Sequence, residues 1–159
     1  ILAIDGDVTS GVARQAARIP ADATHLVLSV GGNDALGHVG LLSRRARSGA
    51  EVLEWFAEVV DGFEIEYARL LELLVRRRLP LVVCTIYNGN LAEAERRAAR
   101  VALAIFNDAI QRRARAHELP VIELRHVCTE PGDYANPIEP SVQGGAKIAA
   151  AIVRALALR

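Results

Sequence analysis

Apolar residues fall in two rhythms along this chain. Four short runs carry almost no polar interruption: Ile1-Leu2-Ala3-Ile4, Leu26-Val27-Leu28-Ser29-Val30, Leu81-Val82-Val83-Cys84-Thr85 and Val121-Ile122-Glu123-Leu124. Runs this short and this apolar predict buried strands of a parallel sheet. Between them apolar positions recur every three or four residues, the period of a helix with one face on a core. The first helix is expected after the polar turn Asp5-Gly6-Asp7 and runs to about Arg18, with Pro20 closing it. After Val30 and its glycine turn the pattern is irregular up to Ser48. Ser48-Gly49-Ala50-Glu51 has the form of a capping box, in which serine accepts from an orphan N–H while glutamate reaches back. From there Val52, Phe56, Val59, Phe63, Tyr67, Leu70 and Leu74 form one apolar stripe. Gly62 lies inside that helix at a cost of roughly 1 kcal/mol against alanine, which points to a bend or a close approach. Leu91 to His117 reads as the next helix, and Ser141 caps the last, which Ile148, Ile152 and Leu156 line on one face.

Strand and helix in regular alternation specify an α/β fold, a parallel sheet with helices on both faces. With no linker or repeat, residues 1–159 read as a single domain. The 19 basic and 19 acidic side chains cancel, so no long-range field draws the molecule to nucleic acid or to an anionic membrane. The arginine clusters at 76–78, 96–100 and 112–115 sit beside glutamates in helical segments and read as solvated faces. No apolar run is long enough to span a bilayer. Cys84 in a strand and Cys128 in a loop suggest neither a disulfide framework nor a zinc site. Lys147 is the only lysine, which restricts phosphate chemistry that relies on one. The chain contains no methionine, so residue 1 is expected not to be a translation start, the chain being processed or a fragment. Cytoplasmic and secreted locations both stay open, as does the oligomeric state.

The candidate chemistry sits where the second apolar run breaks into Gly31-Gly32-Asn33-Asp34. Open α/β sheets keep their sites at the carboxyl ends of their strands. The bland account is a turn with a helix cap, since glycine permits φ > 0 and Asn or Asp caps well. The functional account is an oxyanion hole, with the Asn33 amide donating to the negative oxygen that develops in acyl transfer. Gly6 is the candidate for the second donor, because a glycine lets a ligand approach its backbone N–H. The glycines are not a phosphate loop: Gly32 to Gly37 has the spacing, but His38-Val39 follows where Lys and Ser/Thr are needed.

Four blocks in order resemble the SGNH or GDSL hydrolases, serine esterases and lipases on a three-layer α/β/α flavodoxin-like fold. Ile4-Asp5-Gly6-Asp7-Val8-Thr9 is similar to the family's second block with its oxyanion glycine, and Gly31-Gly32-Asn33-Asp34 to the third, Gly-x-Asn-Asp. Phe106-Asn107-Asp108-Ala109-Ile110 with Leu119 to Leu124 resembles the helix and strand before the last block. Asn136-Pro137-Ile138-Glu139-Pro140-Ser141, then Gly145 to Ala149, matches the frame Asp-x-x-His-Pro-Ser with a glycine before a helix.

The resemblance implies a small-molecule ester substrate, a serine nucleophile, and no metal or organic cofactor. It implies an oxyanion hole of Gly6 and Asn33, and a substrate cleft along the sheet edge that Asp34, Tyr87 and Asn88 share. The nucleophile block, Gly-Asp-Ser, is expected ahead of residue 1. Asn136 stands where the family has its aspartate and Glu139 where it has its histidine. A serine triad needs an imidazole near neutral pKa, and a carboxylate is a much weaker base unless burial raises its pKa. His126, in the same loop, is the candidate substitute base, and Asp133 after Gly132 reads as a turn residue. In the flavodoxin-like order the first strand lies between the second and third. If Ile1 to Ile4 is the second, the sheet lacks its first strand, and the chain alone is expected to be unstable or to aggregate. Two alternatives stay open: a catalytically inactive module that binds its ligand in the same cleft, and a magnesium-dependent phosphatase. The latter rests on Asp5-Gly6-Asp7-Val8-Thr9, which resembles the Asp-x-Asp-x-Thr motif of haloacid-dehalogenase-like enzymes.

Overall fold

The computed structural model describes residues 1–157. Three parallel strands, β1 (Leu26–Leu28), β2 (Leu81–Cys84) and β3 (Val121–Ile122), form a sheet in that order, with Leu26 opposite Leu81 and Val83 opposite Val121. Five α-helices accompany it: α1 (Thr9–Ala16), α2 (Gly32–Leu36), α3 (Gly49–Val75), α4 (Glu93–Ala116) and α5 (Val142–Ala157). Short 3₁₀ turns occupy Val39–Ser43, Leu124–His126 and Pro131–Asp133.

Alternation along β2 sorts the core into two layers. Leu81 and Val83 face Phe63, Leu70, Leu71, Phe106 and Ile110 of α3 and α4, with Ala16 of α1 joining them. Val82 and Cys84 face the other way, with Ile122 and Leu124, onto Ile148, Ala151 and Ile152 of α5. Covered on both faces, β2 is buried throughout, which is why its sequence shows no polar alternation. This is the α/β/α arrangement expected from the pattern.

Local departures have local causes. Ile1 to Ile4 is not a strand, and Ile1 and Ile4 are exposed; a strand needs a neighbour to pair with, and this segment has none among the described residues. α1 stops at Ala16, two residues short of Arg18. β3 ends at Ile122 because Glu123 turns the chain, its carboxylate accepting from Thr85 Oγ1 (2.6 Å) and from Arg125 N–H (3.2 Å). The irregular stretch before Ser48 contains α2 and a 3₁₀ turn. Ser48 accepts from Glu51 N–H (3.2 Å), half of a capping box. The Glu51 carboxylate reaches past it to Arg47 N–H (2.7 Å) and the Arg47 guanidinium. α3 runs without interruption through Gly62, and a Cβ there would meet nothing within 4 Å. The glycine therefore marks neither a bend nor a close approach.

Candidate active site

The carboxyl ends of β1 and β2 open into a cleft of about 710 Å³. Its polar part is assembled from three loops and the turn before α1, tied together by side chains. After β1, Gly31 takes φ +122°, and a Cβ on it would press to 3.2 Å from Phe63 Cζ and Ile86 Cδ1, so only glycine lets the chain turn this close to the core. The turn delivers Asn33 and Asp34 at the start of α2. Asn33 Nδ2 donates to Asp7 O (3.0 Å). An amide nitrogen carries two hydrogens, and no second acceptor for it lies among the described residues.

Asp34 does not line the cleft. Its carboxylate accepts from Thr9 N–H (3.1 Å) and Thr9 Oγ1 (3.1 Å), satisfying a first-turn donor of α1. Together the Asn33 and Asp34 bonds hold residues 5–9 against α2 without any strand pairing. Gly6, at φ +75°, is thereby placed in the cleft beside Asn33, with open space where a Cβ would stand. Asp7 is committed as well: its carboxylate accepts from Val8 N–H (3.0 Å) and Gln15 Nε2 (2.6 Å) and lies over Gly11.

The loop after β2 forms the next wall. Asn107, fully buried on α4, clamps Ile86 by accepting from its N–H (2.7 Å) and donating to its C=O (2.9 Å). Tyr87 donates from its hydroxyl to Ile138 O (2.9 Å), and burial, then Cys128 and Glu139, raise its pKa. Asn88 turns a buried Oδ1 with no hydrogen-bond partner among the described residues. Gly89, at φ +75°, packs so closely on Pro137 O that a Cβ would stand 2.6 Å from it.

The third loop carries Asn136 and Glu139. Asn136 Oδ1 accepts from the N–H groups of Ile138 and Glu139 (both 2.9 Å), and its Nδ2 donates to Glu139 Oε2 (2.6 Å). Glu139 lines the cleft and Asn136 orients it from behind. The loop is latched to α5 through Asp133, which is fully buried. Asp133 accepts from Thr129 N–H (3.0 Å), Glu130 N–H (3.0 Å), Gln143 Nε2 (3.1 Å) and Lys147 Nζ (2.7 Å). Lys147, then the Glu130 N–H, hold its pKa down at about 2.

Of the residues singled out in the sequence, the cleft brings together Gly6, Asn33, Tyr87, Asn88 and Glu139, with Asn136 one hydrogen bond behind. His126 is exposed on the Leu124–His126 turn and does not line the cleft. The histidine that does is His38, two residues past α2, to which the sequence alone gave no role. In the sequence Asn107 stood only as a member of the block Phe106-Asn107-Asp108-Ala109-Ile110, with no role of its own.

Residues 1–146 match the model of the GDSL-like lipase/acylhydrolase family. An extracellular lipase from Streptomyces rimosus has the same fold, with a TM-score of 0.72 at 16% identity over 94% of this chain and 77% of that one. The acetyl xylan esterase AlAXEase gives 0.69 at 15% identity, over 96% and 77%. Phospholipase A1 from Streptomyces albidoflavus NA297 gives 0.64 at 19%, over 95% and 75%. No curated protein matches the chain in sequence. The phosphatase reading of residues 5–9 gives way, since that segment lies within the matched stretch and the Asp7 carboxylate serves α1. The chain belongs to the GDSL-like lipase/acylhydrolase family.

Proposed function

We propose that the protein hydrolyses carboxylic esters, with a serine nucleophile that residues 1–159 do not supply at the family's position. The observation that carries this reading is the convergence of Gly6, Asn33 and Glu139 on one cleft. The serine hydroxyl attacks the ester carbonyl while its proton passes to a base. Gly6 N–H and the unspent Asn33 N–H stabilise the oxyanion. Collapse expels the alcohol, which takes the proton back, and water then releases the acid. Glu139, oriented by Asn136, stands at the family's position for the base; His38, which shares the cleft, is the alternative imidazole, and His126, outside it, serves as the comparison.

Hydrolysis of p-nitrophenyl butyrate by the full-length gene product tests this. Asn33→Ala should lower kcat about 10²–10³-fold, the cost of one oxyanion donor. Comparing Glu139→Gln, His38→Ala and His126→Ala by pH–rate profile identifies the base. A folded protein with no turnover on any ester would sink the catalytic reading. One observation favours that second reading, a binding module: Glu139 Oε2 already accepts from Asn136 Nδ2 (2.6 Å), so that carboxylate oxygen is engaged within its own loop and not with a nucleophile.

A further inference from the structure

Charge cancels over the molecule but not in the cleft. The chain carries 19 basic and 19 acidic side chains. The charged residues that line the cavity are Asp5, Asp7, Glu95 and Glu139, with no arginine or lysine among them. Asp7 is partly compensated by Arg14 Nη2 at 3.9 Å, and Glu139 accepts only from the neutral amide of Asn136. Asp5 and Glu95 pair with no cation among the described residues, and both are exposed. His38 is the one lining side chain able to carry a positive charge. The orphan polar atom of the wall has the same sign as the carboxylates. Asn88 Oδ1 is buried there without a hydrogen-bond partner among the described residues, and it is an acceptor that lacks a donor. A concave wall focuses the field of such groups, so the cleft is negative although the molecule is neutral. Its reach is short, about 8–10 Å in physiological salt, which is why the balance of the whole chain does not reveal it.

We infer that the cleft selects esters of amino alcohols, whose alcohol side carries a substituted ammonium group, over neutral and anionic esters of the same shape. The inference rests on the ester-hydrolase reading and narrows it. Glu139 stands at the position of the base, and the base of an acyl transfer hands its proton to the departing group, so the Glu139 charge lies on the alcohol side. An ammonium there brings a positive charge to a cleft of unpaired carboxylates and an N–H to a wall that lacks a donor. Phe56 and Tyr87 line the same cavity, aromatic surface on which a weakly hydrated cation rests favourably. A carboxylate or phosphate on the same alcohol would meet like charges, with only His38 to answer it.

Two measurements on the full-length product keep the inference separate from the reading beneath it. The first is kcat/KM for 2-(dimethylamino)ethyl butyrate, protonated at neutral pH, against its uncharged isostere 3-methylbutyl butyrate. The second is equilibrium binding of dimethylbenzylammonium against phenylacetate by titration calorimetry, which needs no turnover. Wild type should favour the cationic ester about tenfold at low salt, and the preference should shrink in about 0.5 M salt. Glu95→Gln should lower the ratio about threefold, and Asp5→Asn with Glu95→Gln should remove most of it and weaken dimethylbenzylammonium binding. Asp22→Asn, an exposed carboxylate lost ahead of β1 at the opposite edge of the sheet, should leave the ratio as it is. If every ester is inert but the cation binds more tightly than the anion and the double substitution weakens it, the charge preference stands and catalysis falls. If the two esters are hydrolysed equally well, the ester-hydrolase reading stands and the inference is overturned. It is overturned too if the double substitution changes neither the ratio nor the binding.

Discussion

Lys147 is the chain's only lysine, and its charge is spent inside the fold on the buried Asp133 carboxylate. A buried charge is tolerable only when paired and hydrogen-bonded, and Asp133 satisfies both conditions with two backbone N–H groups, Gln143 and Lys147. The latch matters to the site because Asn136 and Glu139 hang from the same loop. It also sets an acid limit. The Asp133 carboxyl has an ordinary value of 3.8 and is held at about 2 in the fold. A group whose folded pKa is depressed contributes stability that is fully present above its unfolded value and is lost as pH falls through the folded one. The contribution should therefore be complete above about pH 4 and fade towards pH 2. Lys147→Met removes the partner and should move the acid-unfolding midpoint to higher pH, read by circular dichroism across a pH series. Superimposable acid profiles for the two proteins would count against the latch.

Among the elements, α3 shows what periodicity resolves and what it leaves out. Its amphipathic stripe places Phe63, Tyr67, Leu70 and Leu74 in the core as the spacing predicts. The serine cap was likewise legible, because a cap is a contact between residues three apart. Gly62 was not, since sequence cannot tell a glycine kept for close packing from one that merely sits on a solvated face. The structure decides: α3 continues through it, the residue is exposed, and a Cβ has free space. Gly62→Ala should stabilise the fold by up to about 1 kcal/mol, visible as a raised Tm in thermal unfolding. A lowered Tm would mean that the glycine has a packing role after all.

At the scale of the molecule, the strand–helix order and the glycine turn gave the architecture and placed Asn33 correctly at a strand's carboxyl edge. The long-range ties were hidden. Asp34 to Thr9, Asn107 to Ile86 and Lys147 to Asp133 join residues 25, 21 and 14 positions apart, and no local pattern encodes them. Ile1 to Ile4 failed as a strand for a related reason, because pairing is a property of the sheet and not of the segment. The same reasoning applies to the outer edge of β1. Leu26 N–H donates to Pro80 O (2.8 Å), and alternate residues of a strand bond to opposite sides, so the Val27 peptide groups face away from β2. The Val27 side chain points to the face that α5 covers over β2 and β3, and it is 41% exposed. An apolar strand edge without a partner is a template for another chain. Residues 1–159 in isolation should therefore self-associate, with light scattering that rises with protein concentration. Val27→Lys should suppress it by placing a charge on that edge. A single cooperative unfolding transition from a wild-type monomer that scatters no more light than Val27→Lys would show that the edge is harmless.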